Sequence, residues 1–158
     1  MALARIMVDG YSLLHAWPEL SEGRARHSAA AREALIAMLT QYQDSAGTPV
    51  TVVFDGSGAP PGTPKHANQE AIEVLFSRDG RSADDLIERA THRLLAYGEV
   101  LVVTNDYAER DTVTGFGGLA VSCEVFIAQI ADALDTMHLD VNQHNRRERS
   151  RFANRARP

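Results

Sequence analysis

The sequence predicts an α/β fold, a single domain built on a mostly parallel central sheet, and three observations predict it. Short apolar runs alternate with amphipathic stretches along the chain, the signal of repeated β-α units. Most of those runs are valine- or isoleucine-rich with no polar alternation, as strands buried on both faces are. Finally, the acidic motifs MVDGY, VFDG, SADD and TNDY each fall where a strand ends or a helix begins. Those are the positions that face the crevice at the carboxyl edge of an open parallel sheet.

The strands are expected at Ala4–Val8, Thr51–Phe54, Ile72–Phe76 and Val100–Thr104, with Leu119–Val121 as a short fifth. Between the first two, Ala34, Leu35, Met38, Leu39 and Tyr42 recur at three-and-four spacing, which predicts a helix over Ala29–Ala46 with Ser28 as N-cap. The stretch Gly56–Asn68 is rich in glycine and proline without hydrophobic period, and reads as a long exposed loop. Ser82 opens the next helix with Asp85 at the capping-box position, and Gly98 ends it. Asp106–Val113 reads as a short helix and Gly115–Gly118 as a loop. Ser122 caps a last helix that carries Val125, Phe126, Ile130, Ala133, Leu134 and Met137 on one side and fades near His138.

At 158 residues and 44% hydrophobic content the chain fits one domain, expected over residues 1–140. The lone cysteine, Cys123, excludes an internal disulfide and a four-cysteine zinc site, and its place at a helix start suits a small buried side chain. ALARIMVDGY reaches an acid too soon for a signal peptide, and no apolar run approaches the roughly 20 residues of a membrane span. A soluble, cytoplasmic protein without a membrane partner is the expectation.

The net charge of −5 is unevenly spread. Arg146, Arg147, Arg149, Arg151, Arg155 and Arg157 oppose only Glu148 at the end of the chain, so that segment is +5 and the remainder −10. Residues 141–158 are therefore expected to be a disordered basic tail, either a nucleic-acid-binding arm or a solvated aid to solubility. The histidines have no metal spacing, and neither a GxSxG elbow nor a P-loop is present.

Taken singly, each acid has a structural reading beside a functional one. Asp9 and Asp55 precede glycines, where Asp-Gly marks turns. Asp84 and Asp85 stand in the first turn of a helix, where a carboxylate stabilises the macrodipole by about 0.3–1 kcal/mol. Asp106 suits an N-cap. Carboxylates brought together, however, repel one another and raise each other's pKa unless a cation intervenes, so their conjunction marks a site.

VDGYSLLHAWPEL, VVFDG, FSRDGRSADDLIE and VVTNDYAERDTVTGFGGLAVS, in that order and spacing over roughly residues 4–135, resemble the YacP-type NYN family of PIN-like ribonucleases. The resemblance implies a three-layer α/β/α PIN-like, Rossmann-like fold with an acidic pocket that binds a divalent metal and cleaves RNA. Asp9, Asp84 and Asp106 match the family's acidic positions. They are the expected catalytic residues and ligands of Mg2+ or Mn2+, ions that favour oxygen donors and retain waters. Asp85, about 100° round the helix from Asp84, is a further candidate ligand, and Asp55 and Asp111 are outer candidates. Glu88 is expected at the surface beside His92.

Ser12 and Asn105 are expected to orient the carboxylates, and the Thr104 hydroxyl to position water or phosphate. Ser12 and Asn105 also depart from the family pattern, which usually has asparagine and serine there. For RNA, Arg78 and Arg81 just before Asp84 are expected phosphate contacts, with Lys65, His66 and Arg110 as further cations. Tyr11 and Trp17 offer rings for stacking or for burial, and Arg146 and Arg147 lead the basic tail. The expected function is metal-dependent endoribonucleolytic cleavage of RNA, including mRNA presented on the ribosome. The alternative is an RNA- or ribosome-binding module of the same fold with weak or no hydrolysis. An aspartyl-phosphate phosphatase would need a second acid after Asp9, which the chain lacks.

Overall fold

The computed structural model describes residues 3–25, 28–56, 72–78 and 80–155. The chain runs β1 (Leu3–Asp9), α1 (Gly10–Ala16), α2 (Pro18–Ser21), α3 (Ala29–Ala46), β2 (Val50–Phe54), β3 (Glu73–Phe76), α4 (Ala83–Leu94), β4 (Glu99–Val103), α5 (Tyr107–Gly115), β5 (Leu119–Val121) and α6 (Cys123–Arg155). The five strands are all parallel, in the order β3-β2-β1-β4-β5. The chain builds outward from β1 through β2 to β3, then returns to lay β4 on the other side of β1. That reversal opens a crevice at the carboxyl ends of β1 and β4.

Alternation of side chains along each strand divides the core in two. Ile6, Val8, Val50, Val52, Phe54, Leu101 and Val103 point to one face, where Leu13, Leu35, Leu39 and Phe126 of α1, α3 and α6 cover them. Met7, Val53, Val100 and Val102 point to the other, against Ile87 of α4 and Val113 of α5. The result is three layers, α/β/α. Because both faces are covered, β2 has no exposed residue at all, which explains its unbroken VTVVF sequence.

The expected elements form, most with ends shifted by a residue or two, and the predicted serine caps are made, but α4 ends at Leu94 with Leu95 as its C-cap rather than at Gly98. Ser28 Oγ accepts the Ala31 N–H at 3.1 Å, Ser82 Oγ the Asp85 N–H at 3.2 Å and Ser122 Oγ the Val125 N–H at 3.2 Å. Gly47, at φ 74°, closes α3 in the left-handed conformation that glycine adopts without strain. Two further features differ from expectation. The chain turns straight from β1 into α1, burying Leu13 and Leu14. The basic segment expected as a disordered tail is helical as far as Arg155, a continuation of α6. No glycine or proline interrupts residues 122–157, and arginine, glutamate, glutamine and alanine all propagate a helix. Most of the expected Gly56–Asn68 loop, with Lys65 and His66, lies outside the described residues. Among the described residues no helix is long and apolar enough to cross a membrane.

Candidate functional site

Asp9 ends β1 and caps α1. Its Oδ1 accepts the Ser12 N–H at 3.3 Å, and its Oδ2 accepts the Thr104 hydroxyl at 3.5 Å. The carboxylate is thereby held from the first turn of α1 and from the end of β4. The following residue must be glycine for a packing reason: a Cβ on Gly10 would collide with the buried Phe54 ring.

At the end of β4, the buried Thr104 hydroxyl also accepts the Asp106 N–H at 3.2 Å, so one side chain positions both acids. Asp106 is the N-cap of α5. Its Oδ1 accepts the N–H groups of Ala108 at 2.9 Å and Glu109 at 3.3 Å, so Oδ2 is not taken up by the cap. The capping reading and the site reading are therefore compatible at this residue.

The third acid comes from α4, which packs across β1, β2 and β4 and starts at the same edge of the sheet. Helical periodicity sets Ala83 and Ile87 into the core, leaves Asp84 half-buried and turns Asp85 to solvent. Asp55 is exposed at the end of β2. Its neighbour Gly56 donates its N–H to Ser77 Oγ at 2.9 Å and leaves no room for a Cβ against the Ser77 carbonyl.

Electrostatics tie these acids together, with Asp84 at the hub. Burial raises the Asp84 pKa, and repulsion from Asp106, Glu88, Asp85 and Asp55 adds to it. Asp9 is pushed up to about 6, first by burial and further by Asp84 and Asp106, although the Ser12 N–H and the Thr104 hydroxyl partly offset this. Carboxylates held this near one another are a site in want of positive charge. Their donor set is all oxygen, which fits a hard divalent cation. Among the described residues no three Asp, Glu, His or Cys side chains converge closely enough to ligate one ion jointly. The fit is thus to an ion bound by one or two carboxylates and otherwise by water, the habit of magnesium.

One participant is absent from the sequence-based expectation. Glu109 is 4% exposed on the inner side of α5, one turn before the buried Val113. Its carboxyl hydrogen-bonds that of Glu88, and burial, that bond and the charge of Asp84 hold its pKa well above the usual carboxylate range. Two carboxyl groups joined this way need a proton between them, and Glu109 Oε1 is buried without a partner. Glu88 therefore faces inward to Glu109 rather than pairing with His92 at the surface; the His92 ring instead lies 6.1 Å from that of Phe116.

The remaining expected residues are distributed as follows. Ser12 and Asn105 brace the crevice from behind: Ser12 Oγ accepts the Asn105 N–H at 2.9 Å, and Asn105 Oδ1 accepts the Cys123 N–H at 2.8 Å. Cys123 is buried, with burial the main cause of a thiol pKa pushed up to about 11. Arg78 and Arg81 are exposed in a turn leading into α4, closed by the Arg81 N–H on the Arg78 carbonyl at 3.1 Å. Tyr11 is half-buried, its ring 5.1 Å from Phe54 and its hydroxyl accepting from Arg32 at 3.3 Å. Trp17 is buried in the core, where it has no face to offer a base. Asp111 is exposed on α5, and Arg146 and Arg147 are exposed on α6.

An open, all-parallel α/β/α sheet with carboxylates from β1, β4 and α4 gathered at its switch point is the layout of a PIN-like nuclease fold. The chain belongs to the YacP-like NYN domain family, whose sequence profile matches residues 6–157. It is 32% identical to the "Uncharacterized protein YacP" of Bacillus subtilis (strain 168) over 126 residues, 79% of this chain and 74% of that protein. The crystal structure of Rae1 (YacP) from Bacillus subtilis superposes with a TM-score of 0.79 at 28% identity, covering 95% of this chain and 85% of that one. A tryptophan-to-leucine variant of the same protein superposes with a TM-score of 0.75 at 28% identity, covering 90% and 84%.

Proposed function

We propose that this protein is a cytoplasmic, metal-dependent endoribonuclease that hydrolyses phosphodiester bonds in RNA, with mRNA presented on the ribosome as a substrate. The observation that carries the reading is the gathering of Asp9, Asp84 and Asp106 at the carboxyl edge of the sheet, near enough for the charges of Asp84 and Asp106 to raise the Asp9 pKa and for that of Asp106 to raise the Asp84 pKa. These three, with Asp85 beside them, would hold Mg2+ or Mn2+ directly or through water. When bound, the ion supplies charge neutralisation at the scissile phosphate and a lowered pKa for the attacking water. Thr104 sets the separation of Asp9 and Asp106 by bonding to both. Ser12 and Asn105 keep the loop after β4 against α1. Asp55 adds negative charge at the rim, and the exposed Arg78 and Arg81 offer the incoming backbone a compensating charge. Tyr11 keeps part of its surface exposed beside Asp9, where a base can approach.

A second reading, an RNA- or ribosome-binding module with weak or no hydrolysis, is favoured by the absence, among the described residues, of three acids that jointly ligate one ion. Incubating the protein with varied single-stranded RNAs and Mg2+ or Mn2+, with and without chelator, separates the two. Internal cleavage that chelation abolishes supports the enzyme. Binding without cleavage under every condition supports the module.

A further inference from the structure

Tyr107 is the first residue of α5, directly after the Asp106 cap, and 78% of it is exposed. It packs against neither core cluster. One turn on, Arg110 places its guanidinium 4.3 Å from the centre of the Tyr107 ring. A second tyrosine, Tyr97, is 84% exposed, but it precedes β4 and so lies at the opposite edge of the sheet. Tyr107 alone of the two stands next to a candidate catalytic acid and carries a cation on one face of its ring.

We propose that Tyr107 and Arg110 form a stacking platform for an unpaired RNA base next to the scissile phosphate. The inference rests on the reading of Asp9, Asp84 and Asp106 as a nuclease site and names the part of the substrate that site would grip. The physical argument is one of charge. A cluster of acids repels phosphate, so binding strength at its mouth is best drawn from a contact indifferent to negative charge, and base stacking on an aromatic face is one. Arg110 stiffens the ring through the cation-π contact and brings a positive charge to the phosphate of the stacked nucleotide. Base-paired RNA hides the faces of its bases and would gain nothing from such a platform.

The test uses the full chain and a single-stranded oligoribonucleotide carrying 2-aminopurine, whose fluorescence is quenched on stacking, with the duplex of the same sequence as control. In chelator, Tyr107→Ala should lower affinity for the single strand about 5- to 150-fold and remove the quenching. Tyr107→Phe and Tyr107→Trp should keep both, and duplex affinity should be the same in all variants. Equal single-strand binding and quenching by wild type and Tyr107→Ala would overturn the proposal and assign the pair to a protein contact. An equal loss for duplex would overturn it too, as would a wild type that binds no RNA. Cleavage with Mg2+ or Mn2+ distinguishes the two levels. Stacking by a wild type that cannot cleave supports the platform while overturning the nuclease reading, and cleavage with an unchanged KM in Tyr107→Ala overturns the platform alone.

Discussion

The Ser12 hydroxyl oxygen accepts the backbone N–H of Asn105 at 2.9 Å, joining the first turn of α1 to the loop after β4. Ser12 and Asn105 are thus direct partners. Asn105 extends the link to α6 through the Cys123 N–H at 2.8 Å and Glu124 Oε1 at 3.0 Å, while Ser12 Oγ lies 3.5 Å from Cys123 Sγ. Both residues belong to one hydrogen-bonded brace beside the acids.

Ser12→Ala should cost about 1–3 kcal/mol in denaturant unfolding, because the Asn105 N–H would lose its acceptor in a partly buried place. Asn105→Ala should cost a similar amount by stranding the Cys123 N–H at the start of α6. Since the residues share one network, the double variant should cost less than the sum of the singles. Strict additivity in the cycle would show that the brace does not act as a unit.

The legible parts of this molecule were those written locally. Apolar strands running into Asp9-Gly10 and Asp55-Gly56, and the caps Ser28, Ser82 and Ser122, announce themselves in a few residues. Asp9, Asp84 and Asp106 do not: each alone reads as a turn or helix-cap acid, and only their conjunction and the family resemblance single them out. Glu109 was illegible because AERD reads as a solvated helical turn, and only the packing of α5 against α4 turns that acid inward. The α1 helix was hidden by its length, seven residues between an Asp-Gly turn signal and Pro18. At the basic end, net charge argued for disorder, but uninterrupted helix-forming residues continuous with α6 prevailed.

The pH dependence of stability follows from Asp9. Its folded pKa of about 6 lies above the 3.8 of the unfolded chain, so the folded state holds a proton that the unfolded state has already released. The contribution to stability is complete below the unfolded value and is lost as pH rises through about 6; Asp84 is raised and acts in the same sense. Without divalent ions, the Tm contribution of these acids should therefore fall between about pH 4 and 7. Added Mg2+ or Mn2+ should restore it, with a larger Tm gain at about pH 7.5 than at about pH 5. A gain independent of pH would place ion binding elsewhere.

Glu109→Gln should stabilise the fold at neutral and alkaline pH. Glutamine keeps the shape and can donate to Glu88 without holding the buried proton that Glu109 requires. A rise of about 1–2 kcal/mol near pH 8, shrinking towards about pH 4, is expected in urea unfolding. Destabilisation near pH 8 would contradict the assignment of a protonated carboxyl pair.

The exposed arginines of α6 should act through phosphate. Replacing Arg146, Arg147 and Arg149 with glutamine should reduce the slope of log affinity against log salt by about 2 for single-stranded RNA, since each phosphate contact contributes roughly 0.7. An unchanged slope would make this end of the helix a passive extension.

The central claim is that Asp84 and its neighbours are kept in mutual repulsion because a cation and RNA use them. Its most direct test compares wild type with Asp84→Asn and Asp106→Asn in Mg2+- or Mn2+-dependent RNA cleavage, with Tm measured on the same samples without metal. Asparagine still caps a helix, so Asp106→Asn should leave α5 intact. Both variants should lose cleavage by about 100-fold or more, and Asp84→Asn should melt no lower than wild type because repulsion at the hub is relieved. Cleavage within a few-fold of wild type in both variants would contradict the account.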